Sequence, residues 1–253
     1  MKVSIITVTY NSEATLADTI RSVLRQSYKN IEYWIIDGDS KDGTVEVIKH
    51  FEPFFKGNLH WISEADNGLY DAMNKGIRRC TGDVIGILNS DDFFTSNNVI
   101  ERMVKGFPND ADAVYGDVHF VKANNVHKNI RYYSGRIFSP SLIRFGFTAP
   151  HPSFYIRKSV FQKYGCYDTN YRIAADFELI ARLCYIEKIK TKYLHIDFVT
   201  MRIGGTSTRN LQARLNGAKE GYEACRKLKI KTNMFNIYCK YLIKSISSAL
   251  YRR

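Results

Sequence analysis

Short β-branched, apolar runs alternate with helix-periodic runs along the first half of the chain, and this alternation restricts the fold more than any other feature. Lys2–Thr9, Ile31–Asp37, Leu59–Ser63, Val84–Leu88 and Ala113–Tyr115 read as strands. Between them, Asn11 or Ser12 can cap a helix carrying Leu16, Ile20, Val23 and Leu24 on one face. Thr44–Phe55, Tyr70–Arg79 and Asn97–Phe107 read as further helices. Strands alternating with helices imply βαβ units, an α/β class and a mostly parallel sheet with covered faces.

From His119 the pattern loosens. Val118–Val121 and Arg131–Tyr133 are expected to form an antiparallel ribbon, Ser139–Phe145 a short helix, Ser153–Ile156 a strand and Arg157–Tyr164 a helix. Asp176–Tyr185 reads as a helix burying Phe177, Ile180, Ala181 and Cys184. Mixed strand over Lys192–Met201 precedes two helices, Asn210–Lys229 and Asn233–Tyr251. No Pro/Gly linker divides the chain before about Gly204, so residues 1–208 are expected to form one domain and 209–253 a basic helical extension.

Charge sharpens that division. The formal net charge is +12, and from Arg209 onward eleven basic residues face only Glu220 and Glu223. The first 208 residues are therefore near neutral, and the basic tail points to an anionic partner. Five cysteines, none at zinc-ligand spacing, read as buried thiols of a reducing compartment. The start, Met1-Lys2-Val3-Ser4, turns polar too soon for a signal peptide, and no run approaches the ~20 apolar residues of a membrane span. The expectation is a cytoplasmic protein, peripheral on the inner face of the plasma membrane if its tail binds lipid.

The strand Val84–Leu88 ends in Asn89-Ser90-Asp91-Asp92. In open α/β sheets ligands bind at the carboxyl ends of strands. Adjacent carboxylates there repel one another unless a cation relieves them, and hard oxygen ligands suit Mg²⁺ or Mn²⁺. Helix capping is the other use of such acids. Thr9-Tyr10-Asn11 closes the first strand, where Tyr could stack on a base and the following helix N-terminus favours an anion. Asp37 closes the second, in Asp-Gly-Asp-Ser-Lys-Asp-Gly-Thr, and can accept from a base or ribose donor or simply form a turn. Asp66-Asn67-Gly68 leads into a helix that carries Asn74 just before Gly76.

Taken in order, these four segments resemble family 2 glycosyltransferases of the GT-A fold. The family opens with a Thr-Tyr-Asn-like turn, here Thr9-Tyr10-Asn11, and reads the base with an Asp at the end of its second strand, here Asp37. Its Asn-x-Gly and Ala-x-Asn-x-Gly signals match Asn67-Gly68 approximately and Ala72-Met73-Asn74-Lys75-Gly76 fully. Its metal-binding Asp-x-Asp corresponds to Asn89-Ser90-Asp91, with Asn in the first place. The resemblance implies a nucleotide-sugar-binding, Rossmann-like mixed sheet flanked by helices, with Asp91 as metal ligand. It places Thr9, Tyr10, Asn11, Asp37, Asp66, Asn67, Asn74 and Ser90 around the donor. The family's catalytic Glu-Asp pair is Ala175-Asp176 here, which makes Asp176 the expected general base. His151 could line the acceptor pocket, and Arg202-Ile203-Gly204-Gly205 could close over the pyrophosphate; structural roles are equally open for both.

The expected activity is inverting transfer of a sugar, from a UDP-linked donor with Mn²⁺ or Mg²⁺, to an acceptor hydroxyl in surface polysaccharide synthesis. The acceptor would be a saccharide or a lipid-linked saccharide. A sugar nucleotidyltransferase or a non-catalytic anion-binding protein are the alternatives. The former would need a Gly-rich basic loop after the first strand, where Thr9-Tyr10-Asn11-Ser12 stands. A dehydrogenase is excluded for want of Gly-x-Gly-x-x-Gly after an early strand, and no nucleic acid partner is expected.

Overall fold

A computed structural model describes residues 1–123, 125–203 and 211–238. The chain begins with β1 (Val3–Thr9), α1 (Glu13–Leu24), β2 (Ile31–Asp37), α2 (Thr44–Phe51), β3 (Leu59–Ser63), α3 (Leu69–Arg79) and β4 (Val84–Ile87). There follow β5 (Phe93–Phe94), α4 (Val99–Gly106), β6 (Ala113–Lys122), β7 (Asn125–Tyr133), β8 (Tyr155–Arg157), α5 (Lys158–Tyr164) and α6 (Ala175–Ala181). Last come β9 (Thr191–Arg202) and α7 (Leu211–Lys227).

Among the described residues these strands make one sheet in the order β3-β2-β1-β4-β8-β6-β9-β5, with β7 paired to β6. β3, β2, β1 and β4 are mutually parallel, as the βαβ pattern requires. The second half is mixed: β8 is antiparallel to β4 and β6, β5 is antiparallel to β9, and β6 and β9 are parallel. The expectation of a mostly parallel sheet therefore holds only up to β4.

Both faces of the sheet are buried because successive side chains of one strand point to opposite sides. Val3 and Ile5 of β1 join Leu16, Ile20, Ile48 and Met103 beneath α1, α2 and α4. Ile6 and Val8 join Met73 and Ile77 of α3 and the cluster around Phe177 and Leu179 of α6. Each such side chain contributes roughly 1.5–3 kcal/mol by leaving water. At the amino end of the sheet, Glu32 is 3% exposed and accepts from Ser4 Oγ at 2.6 Å, Thr81 N at 2.8 Å and Lys2 Nζ at 3.1 Å. Burial pushes its carboxyl up, but these bonds outweigh burial and hold it at about 2. This charge cluster lies at the edge opposite the strand ends that carry the candidate site.

Several boundaries differ from the sequence reading for identifiable reasons. α2 stops at Phe51, and a 3₁₀ turn over Glu52–Phe55 follows, because Pro53 has no N–H with which to continue an α-helix. The strands expected at Ala113–Tyr115 and Val118–Val121 are one strand, β6, whose register against β9 shifts between Tyr115 and Val118. Alternation was hidden there because Asp117 and His119 are buried polar residues. Ser153 belongs to a 3₁₀ turn, its Oγ bonding Gly116 O at 3.0 Å and Pro150 O at 2.8 Å, and β8 starts two residues later. Pro140–Phe145 is likewise 3₁₀, and α6 widens into a π-turn over Arg182–Ile186.

α7 lies on the domain: Ala218, Ala224 and Cys225 are fully buried in the cluster that holds Phe177. Of the final helix expected over Asn233–Tyr251, residues 234–238 are helical, with Ile237 fully buried and Phe235 72% exposed; the remainder falls outside the described residues. No described helix is long and apolar enough to cross a membrane.

Candidate active site

The carboxyl ends of β1, β2, β3 and β4 lie side by side. Thr9 pairs with Asp37 and Asp37 with Ser63 in register, and Gly38 N donates to Thr9 O at 2.9 Å. Asn11 takes a left-handed φ of 47°, which Asn tolerates better than most residues. Its Oδ1 accepts from Lys41 N at 2.8 Å, and its own N–H donates to Ser40 Oγ, so it ties the first loop to the second. Tyr10 is 62% exposed beside this junction, and the Thr9 hydroxyl is buried with no hydrogen-bond partner.

Two carboxylates expected around the donor, Asp37 and Asp66, lie close to this junction. Asp37 is fully buried and accepts from Ser40 N at 3.0 Å, Ser40 Oγ and Ser63 Oγ at 2.7 Å, so its carboxylate shapes the turn. A carbon placed on Gly38 would meet Asp66 Oδ2 at 2.9 Å, the Tyr10 ring at 3.5 Å and Thr9 O at 3.6 Å. The missing side chain at Gly38 therefore makes room for the Asp66 carboxylate beside Tyr10 and Thr9. Its other oxygen, Oδ1, accepts from Lys75 Nζ at 2.6 Å. Burial raises the Asp66 carboxyl despite Lys75. Burial also opposes the Lys75 charge, but Asp66 and Glu64 outweigh it and raise that ammonium's pKa.

Asn67 is exposed at the start of α3, its N–H donating to Asp71 Oδ2 at 3.1 Å. Asn74 lies deeper. It is 6% exposed, and its amide donates to Tyr167 O at 2.9 Å and accepts from Tyr167 N at 3.0 Å. That bidentate clasp ties α3 to the loop before α6.

After β4 the chain turns tightly, Asp92 N donating to Asn89 O at 3.1 Å. Thr19 of α1 reaches under this turn, its hydroxyl 2.7 Å from Asp92 O and 3.0 Å from Ser90 O; Ser90 Oγ lies 3.0 Å from Ser12 Oγ. Arg202, at the end of β9, donates its Nη1 to Asp91 O at 2.7 Å, its Nη2 to Asp18 Oδ2 at 2.6 Å and its N–H to Asp92 Oδ1 at 3.2 Å. Burial raises the pKa of both Asp91 and Asp92, with the charge of Asp91 adding to the effect on Asp92; Arg202 opposes the rise on both. Asn89 Oδ1 is buried with no partner. Two under-compensated carboxylates and an orphaned amide oxygen are a donor set that fits a hard divalent cation. No three His, Cys, Asp or Glu side chains gather as a metal cage among the described residues, so a cation here would need further oxygens from its ligand.

Asp176 is the second residue of α6. Its Oδ1 accepts from Phe177 N at 2.7 Å and lies 3.4 Å from the Tyr70 hydroxyl, which itself donates to Ile173 O at 2.7 Å. Tyr70 opens α3, directly after the carboxyl end of β3, so Asp176 stands at the same edge of the sheet as Asp66. Between the start of α3 and residues 169–172 lies a cavity of about 470 Å³, bordered by Asn67, Leu69, Asn170 and Arg172. A wider hollow of about 640 Å³ on the outer face of α1 and α2 touches none of the candidate residues. His151 packs behind the site, its Nε2 2.6 Å from the Tyr167 hydroxyl, and burial lowers its pKa against the charge of Asp176.

Residues 4–165 match Glycosyl transferase family 2. The chain belongs to this family. An uncharacterized glycosyltransferase of Mycobacterium tuberculosis is 31% identical over 208 residues, which cover 80% of this chain and 76% of that protein. A PGL/p-HBAD biosynthesis glycosyltransferase of Mycobacterium bovis BCG is 29% identical over 195 residues, 76% of this chain and 73% of that one. Among solved structures, S. aureus TarS 1–349 in complex with UDP-GlcNAc superposes with a TM-score of 0.68 at 18% identity, covering 89% of this chain and 65% of that one. The mannosyltransferase PcManGT of Pyrobaculum calidifontis, in complex with GDP-Man and Mn²⁺, gives 0.66 at 16% identity, covering 94% and 69%. At these identities the two structures establish the fold, which is that of the GT-A glycosyltransferases.

Family membership sets aside the nucleotidyltransferase alternative. Three residues that hold the site's loops were not singled out from sequence: Thr19, Tyr70 and Tyr167. Each acts through a hydrogen bond to main chain or side chain far away in sequence, and no local motif marks them. Of the Arg202–Ser207 segment, for which a pyrophosphate-covering loop and a simple linker were equally open, Arg202 braces the Asp91–Asp92 turn, and residues 204–207 lie outside the described residues.

Proposed function

We propose that this glycosyltransferase moves a sugar from a UDP-linked donor to an acceptor hydroxyl by a single inverting displacement, with Mn²⁺ or Mg²⁺ as cofactor. The observation that carries the reading is the Asn89–Asp92 turn at the end of β4, with its two raised carboxyls and orphaned amide oxygen, set at the same sheet edge as the cluster of Thr9, Tyr10 and Asp66 around Gly38. Tyr10 would stack on the base, and Asp66 Oδ2 would accept a base or ribose donor. Thr9 Oγ1 and Asn11 would complete the floor, with Asp37 and Ser90 holding the two turns in place. Asp91, with Asn89, would hold the cation on the donor diphosphate, where it neutralises charge building on the leaving group. Asp176 would take the proton from the acceptor hydroxyl as its oxygen bonds to C1 and the C1–phosphate oxygen bond breaks. The cavity bordered by Arg172 and Asn170 would receive the acceptor.

The nucleotide and metal complexes of TarS and PcManGT are consistent with such a donor site. The acceptor we favour is a surface saccharide carried on lipid. It rests on the basic tail and on a relative named for PGL/p-HBAD biosynthesis. The same tail would hold the enzyme on the anionic cytoplasmic face of a membrane.

Calorimetric titration of UDP, GDP, CDP and dTDP, with and without Mn²⁺, tests the donor reading in wild type and Asp91→Ala. Metal-dependent binding of UDP that Asp91→Ala loses is the expected result. Equal UDP binding with and without metal, or tighter binding of another diphosphate, would overturn it.

A further inference from the structure

We propose that Glu220 of α7 is a positioning residue for Asp176, so that the C-terminal helix is part of the catalytic apparatus. The inference rests on the reading of Asp176 as base. Three successive main-chain N–H groups converge on this one carboxylate: Arg172 N at 3.3 Å from Oε1, and Ile173 N and Ala174 N at 2.8 and 2.9 Å from Oε2. Successive amides that point inward form a concave anion-binding nest, and a carboxylate fills it with charge-assisted bonds. The nest ends at Ala174, the residue before α6, and α6 has no side-chain N-cap of its own. Asp176 follows two positions later.

The Ile173–Ala174 peptide is held on both sides. Tyr70 of α3 donates to its carbonyl, Ile173 O, while Glu220 accepts from its Ala174 N–H, so the segment leading to Asp176 is gripped between α3 and α7. A second anchor fixes the far end of the loop: Lys227 Nζ lies 2.6 Å from Asp168 Oδ2. α7 itself is seated by buried Ala218, Ala224 and Cys225, and its Gly221 lies against the Phe177 ring of α6. One helix therefore grips the loop that carries both the base and one wall of the acceptor cavity. Misplacing a catalytic group by about 1 Å costs on the order of 10²-fold in rate, whereas donor affinity depends on residues from the other half of the sheet.

The test uses the full chain as wild type, Glu220→Ala, Glu220→Gln, Asp176→Asn and the Glu220→Ala/Asp176→Asn double variant. Turnover is read as UDP released from UDP-glucose, UDP-galactose and UDP-N-acetylglucosamine, with water as the attacking hydroxyl. Amide exchange of residues 172–176 is followed separately. Glu220→Ala should lower kcat at least about tenfold with donor KM within about twofold, and should speed exchange of the Ile173 and Ala174 amides. Glu220→Gln keeps an acceptor oxygen and should recover part of the rate. In the Asp176→Asn background, Glu220→Ala should cost nothing further. Unchanged kcat or unchanged amide exchange in a folded Glu220→Ala would overturn the proposal, as would a full additional loss in the double variant. If Glu220→Ala does not fold, the same comparisons are made with Glu220→Gln, where unchanged kcat and exchange overturn it equally. Full turnover by Asp176→Asn would instead remove Asp176 as base, a separate failure.

Discussion

At the scale of single residues, the site is a set of carboxylates with different duties. Asp37 accepts from Ser40 and Ser63, whereas Asp66 gives Oδ1 to Lys75 and places Oδ2 in the room that Gly38 leaves beside Tyr10 and Thr9. Asp66→Ala should therefore weaken UDP binding about tenfold with little effect on folding, while Asp37→Asn should lower unfolding free energy by about 1–2 kcal/mol, as calorimetry and urea denaturation would report. Asp91 and Asp92 differ again, because burial raises both. Their folded-state pKa values lie above those of the unfolded chain, so the folded state binds these protons more tightly, and the stability this confers is lost as pH rises from the ordinary carboxylate range through the raised values. A divalent cation must displace the same protons. Mn²⁺ affinity should thus fall on acidification, starting at a higher pH than an ordinary carboxylate would give, and Mn²⁺ should raise the melting temperature more at pH 7.5 than at pH 5. A cation affinity flat across that interval would contradict a buried Asp91 ligand. The motif order singled out Asp37, Asp66, Asp91 and Asp176 from sequence. It could not show that Asp37 accepts from Ser63, 26 residues away, because no local pattern records that contact.

At the scale of elements, β4 sets the position of the Asn89–Asp92 turn. It is central, bonded to β1 on one side and to β8 on the other, and Gly86 lets the ring of Tyr155 lie against its backbone. A carbon added at Gly86 would fall 2.2 Å from that ring, and Tyr155 is fully buried with no room to retreat. Gly86→Ala should destabilise the protein by about 2–3 kcal/mol, read as a lower urea midpoint. A neutral effect would mean that β4 and β8 can separate. The parallel half of the sheet was legible because each strand there is a continuous apolar run closed by polar residues. The antiparallel half was less so. β6 carries Asp117 and His119 inward, satisfied by Tyr132, Ser134 and Tyr193 and by Asp197 and Thr200, and such pairings erase the period-2 signal.

At the scale of the whole molecule, the basic residues and the strand-end acids are segregated along the chain. The near-neutral first 208 residues carry the strand-end acids, and the basic C-terminal stretch begins where α7 returns to brace the loop before Asp176. Attraction to an anionic surface grows by about 1 kcal/mol per basic residue near it and fades with salt. Lys240→Glu with Lys244→Glu should therefore reduce co-sedimentation with phosphatidylglycerol vesicles, most strongly at low salt, and leave UDP binding unchanged. Equal sedimentation at all salt concentrations would argue against the membrane role. The sequence by itself determined the βαβ half, the strand-end acids and the family, because these are written in local periodicity and in motifs of consecutive residues. Only the tertiary structure decided that Ser63 reaches Asp37, that Asn74 bonds the Tyr167 main chain, and that Glu220 reaches back to the residues before Asp176. Those outcomes depend on which groups meet across 26 to 93 residues of chain, and no local pattern encodes such meetings.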